Sequence, residues 1–377
     1  MSLRHLKAVT FQEIRHILRD RTTLVLVTLM PVFLLFVLAY AVTADIQHVP
    51  IAVFDQDRSA SSRAFIQQII VGKDLDLHAQ VQSPAEIESL LLLSAVKAAI
   101  IIPPGFERDL IAQRSLPLQV LVDGTEPQSG GFAVQQISRR AEDFVTRALS
   151  TQLQAHGLSV EALQPVEVQT RIWFNPNLKS SVDLVPGLLS IVIGLPGLSV
   201  ALTLAREREH GTLEQLLATP VSRAELLVGK MIPYVFSGLA NVVLTTVIAM
   251  VWFRVPFNGS FLLYMALSTA FLFAILGLGM IIGVFIRTQA AALALSMLVI
   301  FFPGFFLTGI FFPTAAMPAI VRSETLALPA THYAVITRAS FITGAGLDVL
   351  WPYGLALIAM SFAFTGIAAV FFRKKLA

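Results

Sequence analysis

The chain contains no cysteine, which excludes disulfides, thiolate metal sites and cysteine nucleophiles and fits an oxidising exterior without establishing one. Charge is scarce: Asp, Glu, Lys and Arg make up 14% of residues, against about 25% in soluble domains. With 55% of the residues hydrophobic, water cannot be the only solvent, and the 377-residue length says little about domain number. A net charge of +3 does not point to nucleic acid, because the basic residues flank apolar runs rather than form one solvated patch. No G-x-x-x-x-G-K-[ST] phosphate loop occurs: Gly229-Lys230 precedes Met231 and Gly72-Lys73 precedes Asp74, so any ATP must be hydrolysed by another chain. No nucleophile, base and metal-ligand set stands out either.

Long apolar runs are what the chain has instead. About 20 apolar residues are needed to cross a hydrocarbon core of about 30 Å, and six uncharged runs qualify: Leu24 to Ala44, Val185 to Ala205, Ile232 to Phe253, Phe261 to Ile286, Ala290 to Phe312 and Leu350 to Phe372. Arg4, Lys7, Arg15, Arg19 and Arg21 precede the first run, and Arg373, Lys374 and Lys375 follow the last. Arg206, Arg208, Arg223, Lys230 and Arg287 fall in the connections on that same side, whereas the short opposite loops hold only Arg254, Arg322 and Arg338. The positive-inside rule then puts both termini in the cytoplasm. Ala39 and Ala41 form an A-x-A pattern, the mark of a cleaved signal peptide. The long leading segment with Glu13 and Asp20 and the amphipathic spacing of Leu3, Leu6, Phe11, Ile14, Ile17 and Leu18 favour an interfacial helix and a retained anchor.

The expected organisation is a cytoplasmic interfacial helix over 1–23, a first transmembrane helix over 24–44, an exterior domain over 45–183, and helices two to six over 184–377. Within 45–183 the periodicity changes. Short apolar runs at Ile51 to Phe54, Ala98 to Ile102 and Leu118 to Val122, with a weaker one at Leu77 to Val81, read as strands. Ser59 to Val71, Ala85 to Leu93, Phe106 to Ala112 and about Gly131 to His156 read as helices, so the insert is α/β. Asp55, Asp57, Asp123 and Glu126 end strands and read as turn residues rather than metal ligands, since no His stands at ligand spacing. Trp173 and Phe174, near the return to the membrane, suit an aromatic belt.

The connection Arg206 to Lys230 is the most informative stretch. Arg206, Glu207, Arg208 and Glu209 lead through His210 and Gly211 into Thr212 to Leu217, a short amphipathic helix whose Leu213, Leu216 and Leu217 face the cytoplasm and need a partner. Pro220 ends it, and Ser222 is placed to N-cap a further helix. The bland reading is a solvated helix end.

This stretch resembles the coupling region of the ABC-2 family of exporter permeases, in the bacterial branch with a large periplasmic domain between the first two helices. Phe174-Asn175-Pro176, Leu184-Val185-Pro186-Gly187, Leu307 to Pro313 with Met317-Pro318, Leu328 to Tyr333, and Gly344-Ala345-Gly346 with Trp351-Pro352 are also similar to that family. The resemblance spans essentially the whole chain, although the insert matches by position and length more than by motif. Val221-Ser222-Arg223 stands where the family often has a second proline. The family implies a six-helix inner-membrane permease that itself carries no cofactor, with ATP and magnesium held by a separate ABC ATPase. It implies a second permease copy or paralogue and often a periplasmic membrane-fusion adaptor leading to an outer-membrane duct. Arg206, Glu207, Glu209, Gly211, Thr212, Leu213, Glu214, Leu216, Leu217 and Pro220 would then couple to the ATPase, with Glu207 and Glu214 setting orientation by charge. Pro303, Phe305, Phe306, Phe311 and Phe312 would line an exterior gate formed by a re-entrant segment. Uncharged walls suggest a hydrophobic or amphiphilic, drug-like substrate. The rival readings are a membrane-anchored periplasmic binding or assembly protein and an ion-coupled secondary transporter, the latter expected to carry ionisable residues or inverted repeats within the membrane.

Overall fold

The computed structural model describes residues 3–19, 24–42, 48–112, 114, 117–155, 174–175, 179–212 and 221–372. The chain forms two compact units, one of Met1–Ala44 with Ile172–Ala377 and one of Asp45–Arg171.

Helix α1, Leu3–Arg19, buries Val9, Glu13 and Ile17, residues four apart that share one helix face. A π-helical turn over Val25–Leu29 then leads into α2, Met30–Val42. Such a turn leaves a carbonyl without its usual intrahelical donor, and here the Asn241 side-chain amide donates to the Val27 carbonyl.

The smaller unit alternates strand and helix: β1 Val49–Asp55, α3 Ala60–Ile69, β2 Leu75–Gln80, α4 Pro84–Leu92, β3 Ala98–Ile102, α5 Phe106–Ile111, β4 Gln119–Val122 and α6 Pro127–Ala155. The sheet order is β2-β1-β3-β4, with β1 parallel to both neighbours and β4 antiparallel to β3. Because strand side chains alternate between faces, Ile51, Val53 and Ile100 join Phe65, Phe106 and Ile137 in one apolar layer, while Ala52, Phe54 and Ala99 join Val81 and Ile87 in the other. Strand β2 starts two residues earlier than the apolar run suggested, since Leu75 pairs with Val49. Helix α6 starts at Pro127 rather than near Gly131; proline suits a first helical turn because its missing N–H has no partner to lose there.

The strand-end carboxylates take up turn donors. Asp55 accepts from the Asp57 and Arg58 N–H groups at 3.0 Å each, Asp57 from Gly105 N–H at 2.7 Å, and Asp123 from the Thr125 hydroxyl at 2.6 Å. Burial pushes the Asp57 carboxyl up, but donors from Ser59, Glu107, Gly105 and Phe106 outweigh it and hold the group below its ordinary value. The Thr125 hydroxyl and N–H do the same for Asp123, helped by Lys97.

The larger unit continues with α7 Ser180–Val192, α8 Pro196–Glu209, α9 Arg223–Val251, α10 Phe261–Phe285 and α11 Gln289–Ser296. After a π-helical turn over Met297–Phe301 come α12 Phe302–Phe306, α13 Ala319–Leu326, α14 Pro329–Arg338 and α15 Leu347–Phe371. Five helices among the described residues are long and apolar enough to cross a membrane: Ser180–Glu209, Arg223–Val251, Phe261–Phe285, Gln289–Phe306 and Leu347–Phe371, with a shorter apolar helix at Val27–Val42. Pro196 cannot donate to Val192, so the first of these breaks between α7 and α8 and closes through tighter turns such as Leu195 N–H to Val192 carbonyl at 3.3 Å. The α7–α8 pair and α10 form the interior, whereas α15 and Gln289–Phe306 turn most of their surface outward. Helices α8 and α10 touch through backbone: a Cβ on Gly279 would collide with the Gly197 carbonyl oxygen. An aromatic column, with Phe271 stacked on Tyr333 at 4.1 Å and Tyr264 beyond it, fills the space between α10 and α14.

Candidate functional site

Helix α8 ends in the charged run. Gly211 adopts φ +71°, a left-handed conformation that glycine takes without penalty, and the Thr212 hydroxyl donates to the Glu207 carbonyl at 3.1 Å. Leu213, Glu214, Leu216, Leu217 and Pro220 lie outside the described residues. After them Ser222 caps α9 in a reciprocal box with Glu225: the Glu225 N–H donates to Ser222 Oγ at 3.3 Å and the Ser222 N–H to Glu225 Oε2 at 2.9 Å.

Both flanks of the 213–220 segment are tied inward. Glu207, read from the sequence as a group that orients a partner by charge, is instead 5% exposed and paired with Lys230. Lys230, itself 4% exposed, also donates to Glu13 Oε2 at 2.8 Å. Tyr234 donates to Glu13 Oε1 at 3.2 Å and accepts from Thr203 at 2.8 Å. Helix α1 thereby lies along the start of α9, where Val9 fills the space a Gly229 side chain would take and the Thr10 hydroxyl donates to the Gly229 carbonyl at 3.3 Å.

A second tie runs from α8 to the last turn of α10 and the first residue of α11. Arg206 Nε donates to Gln289 Oε1 at 3.1 Å, Glu209 Oε2 accepts from the Gln289 N–H at 3.0 Å, and Arg208 donates to the Val284 carbonyl at 2.6 Å. Thus Arg206, Glu209, Gly211 and Thr212 lie at the end of α8 that these contacts hold. Sequence reasoning missed Glu13, Lys230 and Tyr234. The apolar spacing marks another face of α1, that of Leu3, Phe11, Ile14 and Leu18, which the structure leaves exposed, whereas Glu13 lies on the buried line of Val9 and Ile17.

Beside the cluster opens a cavity of about 410 Å³ whose lining includes Glu13, His16, Arg206, Glu207, His210 and Tyr234. Glu13, His16 and Glu207 each bring one ligand atom within 4.8 Å of the others. Lys230 already holds both carboxylates, so its charge opposes a metal cation there.

The proposed gate residues divide. The fifth apolar run does not continue as helix to Phe312: α12 ends at Phe306, and Gly309 turns the chain at φ +80°. Pro303 lies in the first turn of α12, and its carbonyl accepts from Leu307 N–H at 2.8 Å. The Phe305 and Phe311 rings meet at 4.7 Å, whereas Phe306 and Phe312 are exposed.

The profile described as ABC-2 family transporter protein matches residues 21–370. The chain belongs to the ABC-2 transporter family. Over 386 residues, covering 100% of the chain and 98% of the relative, it is 29% identical to "Probable multidrug ABC transporter permease YbhS" of Escherichia coli K12. It is 30% identical to "Inner membrane transport permease YhhJ" of the same organism, covering 99% of each chain, and 25% identical to "Probable multidrug ABC transporter permease YbhR", covering 97% of each. This ABC-2 chain is the permease subunit of an ABC exporter and a multi-pass inner-membrane protein. The family is the membrane component of such transporters and not the catalytic one, and it implies an ABC ATPase as partner.

Proposed function

We propose that this permease forms one half of a path for a hydrophobic or amphiphilic, drug-like substrate, driven by a separate ATPase that holds ATP and magnesium. In this reading six helices span the membrane, with both termini cytoplasmic and 45–183 periplasmic. A second permease copy or paralogue completes the path, and an adaptor and outer-membrane duct extend it. The names of the E. coli relatives, two of them probable multidrug permeases, support a multidrug substrate range.

The observation that carries the mechanism is the buried Glu13–Lys230–Glu207 network. It joins α1, α8 and α9, so a push on the 213–220 segment is delivered to helix ends that are rigidly linked rather than dissipated in a loose loop. Leu213, Leu216 and Leu217 supply the apolar anchors for the ATPase groove, and Glu214 sets orientation. Beyond the helices, Phe305 packed on Phe311 blocks the exterior exit until α12 moves.

The test is Leu216→Asp. A carboxylate forced unpaired into the docking groove costs several kcal/mol, on the order of the penalty for any buried uncompensated charge, while an exposed substitution changes stability by about 0.5 kcal/mol or less. The variant should insert normally yet lose co-purification with the ATPase and lose export. Wild-type levels of both would show that this segment does not couple.

A further inference from the structure

Glu13, Glu207 and Lys230 leave the junction of α1, α8 and α9 with two carboxylates and one ammonium, all of them buried. Both ion pairs of the cluster run to the same Lys230 nitrogen. With every group ionised, the three side chains hold one net negative charge out of water, and a site of low dielectric resists such an excess.

The groups packed around the cluster decide how that excess is met. His16 and Arg19 of α1 line the adjoining cavity with Arg206 and His210, but Arg206 turns its Nε to Gln289 and His210 Nδ1 lies 2.9 Å from the Arg206 carbonyl. From α9 comes the Tyr234 hydroxyl. Glu13 therefore has a donor on each oxygen, Tyr234 on Oε1 at 3.2 Å and Lys230 on Oε2 at 2.8 Å. Glu207 has Lys230 on Oε1, while its Oε2 is closed to solvent and has no partner among the described residues. Two carboxylates that share one site oppose each other's ionisation, and the donors select which keeps its charge. A bare carboxylate oxygen in such a place costs more than a neutral acid. Glu13 is the anion, and the proton belongs on Glu207 Oε2.

Burial bars a ligand of any size from that oxygen, but it does not bar a proton. Glu13, His16 and Glu207 each bring one polar side-chain atom within 4.8 Å of the others, and of the three His16 alone is exposed. An imidazole takes a proton on one ring nitrogen and gives one up from the other, so His16 connects Glu207 to solvent.

We propose that each permease binds one proton at Glu207, delivered through His16, and that its release loosens the packing of α1 on α8 and α9. In the exporter reading this end faces the cytoplasm, so the coupling end of the permease senses internal pH. The proton site stands or falls without that reading, because the measurements below use the permease alone.

An unfolded chain loses a glutamate proton at about pH 4.3, whereas the folded junction keeps it at neutral pH. Below that value both states hold the proton and the stabilisation is complete; above it stability declines as pH rises, until the folded junction also gives the proton up. The test follows unfolding of the full-length permease in one detergent from about pH 5 to about pH 7, above the unfolded glutamate range, beside Glu207→Gln. The wild-type unfolding constant should rise about tenfold per pH unit relative to the variant, the linkage of one proton. Amide exchange over Val9 to Ile17 should likewise quicken with pH more in wild type than in Glu207→Gln. His16→Gln and His210→Gln, controls for imidazole titration in the same window, should keep most of the slope.

Infrared spectra at neutral pH give a second readout that does not depend on unfolding. Wild type should show the carbonyl band of a buried protonated carboxyl, shifted in deuterium oxide. Glu207→Gln should lose it, and so should Glu13→Gln, where Glu207 ionises as the sole carboxylate on Lys230. Equal pH slopes in wild type and Glu207→Gln, a slope lost with either histidine, a wild-type spectrum without the band, or a band that survives in either glutamine variant overturns the proposal. Should Glu207→Gln not fold, the wild-type and Glu13→Gln spectra decide it.

Discussion

Replacing Lys230 by methionine removes the base from a cluster in which Glu13 is 1% exposed, Glu207 5% and Lys230 4%. Two buried carboxylates then remain at the helix junction, with the Tyr234 hydroxyl donating to Glu13. Removing one partner of a buried ion pair costs about 3–5 kcal/mol, because the charge left behind keeps its desolvation penalty and loses its compensation. Glu207→Gln changes the same cluster in the opposite sense. It leaves Glu13 and Lys230 as a one-to-one pair and replaces a carboxylate whose Oε2 has no partner among the described residues, so its cost should be about 1 kcal/mol or less. The assay is unfolding of the purified permease in one detergent at neutral pH, with both variants beside wild type. Lys230→Met should lose several times more stability than Glu207→Gln, and it should also release α1, read as faster amide exchange over Val9 to Ile17. If the two variants unfold within about 1 kcal/mol of each other, the cluster does not hold α1, α8 and α9 together and the coupling mechanism loses its rigid link.

Other expectations are independent of that cluster. Gly279→Ala forces a Cβ onto the Gly197 carbonyl and should destabilise by about 1–3 kcal/mol through overpacking, whereas Gly366→Ala, with open space around it, should be neutral or slightly stabilising in the same unfolding assay. Asp57 and Asp123 have carboxyls held below their ordinary values, so the stability they contribute is present above the unfolded carboxylate range near pH 4 and is lost as pH falls through the lower folded values. Acid should therefore loosen the smaller unit, followed by protease sensitivity between its strands, and the pH dependence should be shallower in Asp57→Asn; an unchanged profile would refute the assignment. Phe33 and Phe306 are 62% and 50% exposed on apolar helices, and the chain has no native cysteine. Single Phe33→Cys and Phe306→Cys variants should cross-link into dimers in membranes, and a purified active transporter with one permease copy would contradict the paired arrangement.

Some of this protein was legible in residue order alone, and the physical reason is that the relevant forces are local. A hydrocarbon slab requires long uncharged helices, so runs such as Phe261 to Ile286 declare themselves without knowledge of their neighbours. Strand ends marked by Asp55 and Asp123 and the Ser222 cap on α9 likewise depend on groups a few residues away. The family resemblance was legible too, through short segments spread along the chain. Tertiary structure decided what depends on residues distant in sequence. Glu13 and Lys230 are 217 positions apart, and nothing near Glu207 in the chain says that it turns inward to Lys230 rather than outward to a partner. The fifth apolar run reads as unbroken to Phe312, yet α12 stops at Phe306, where Arg338, far along the chain, takes up the carbonyls that a continuing helix would have used. Burial of charge follows from which helix faces meet, and that is a property of the packed unit rather than of any single helix.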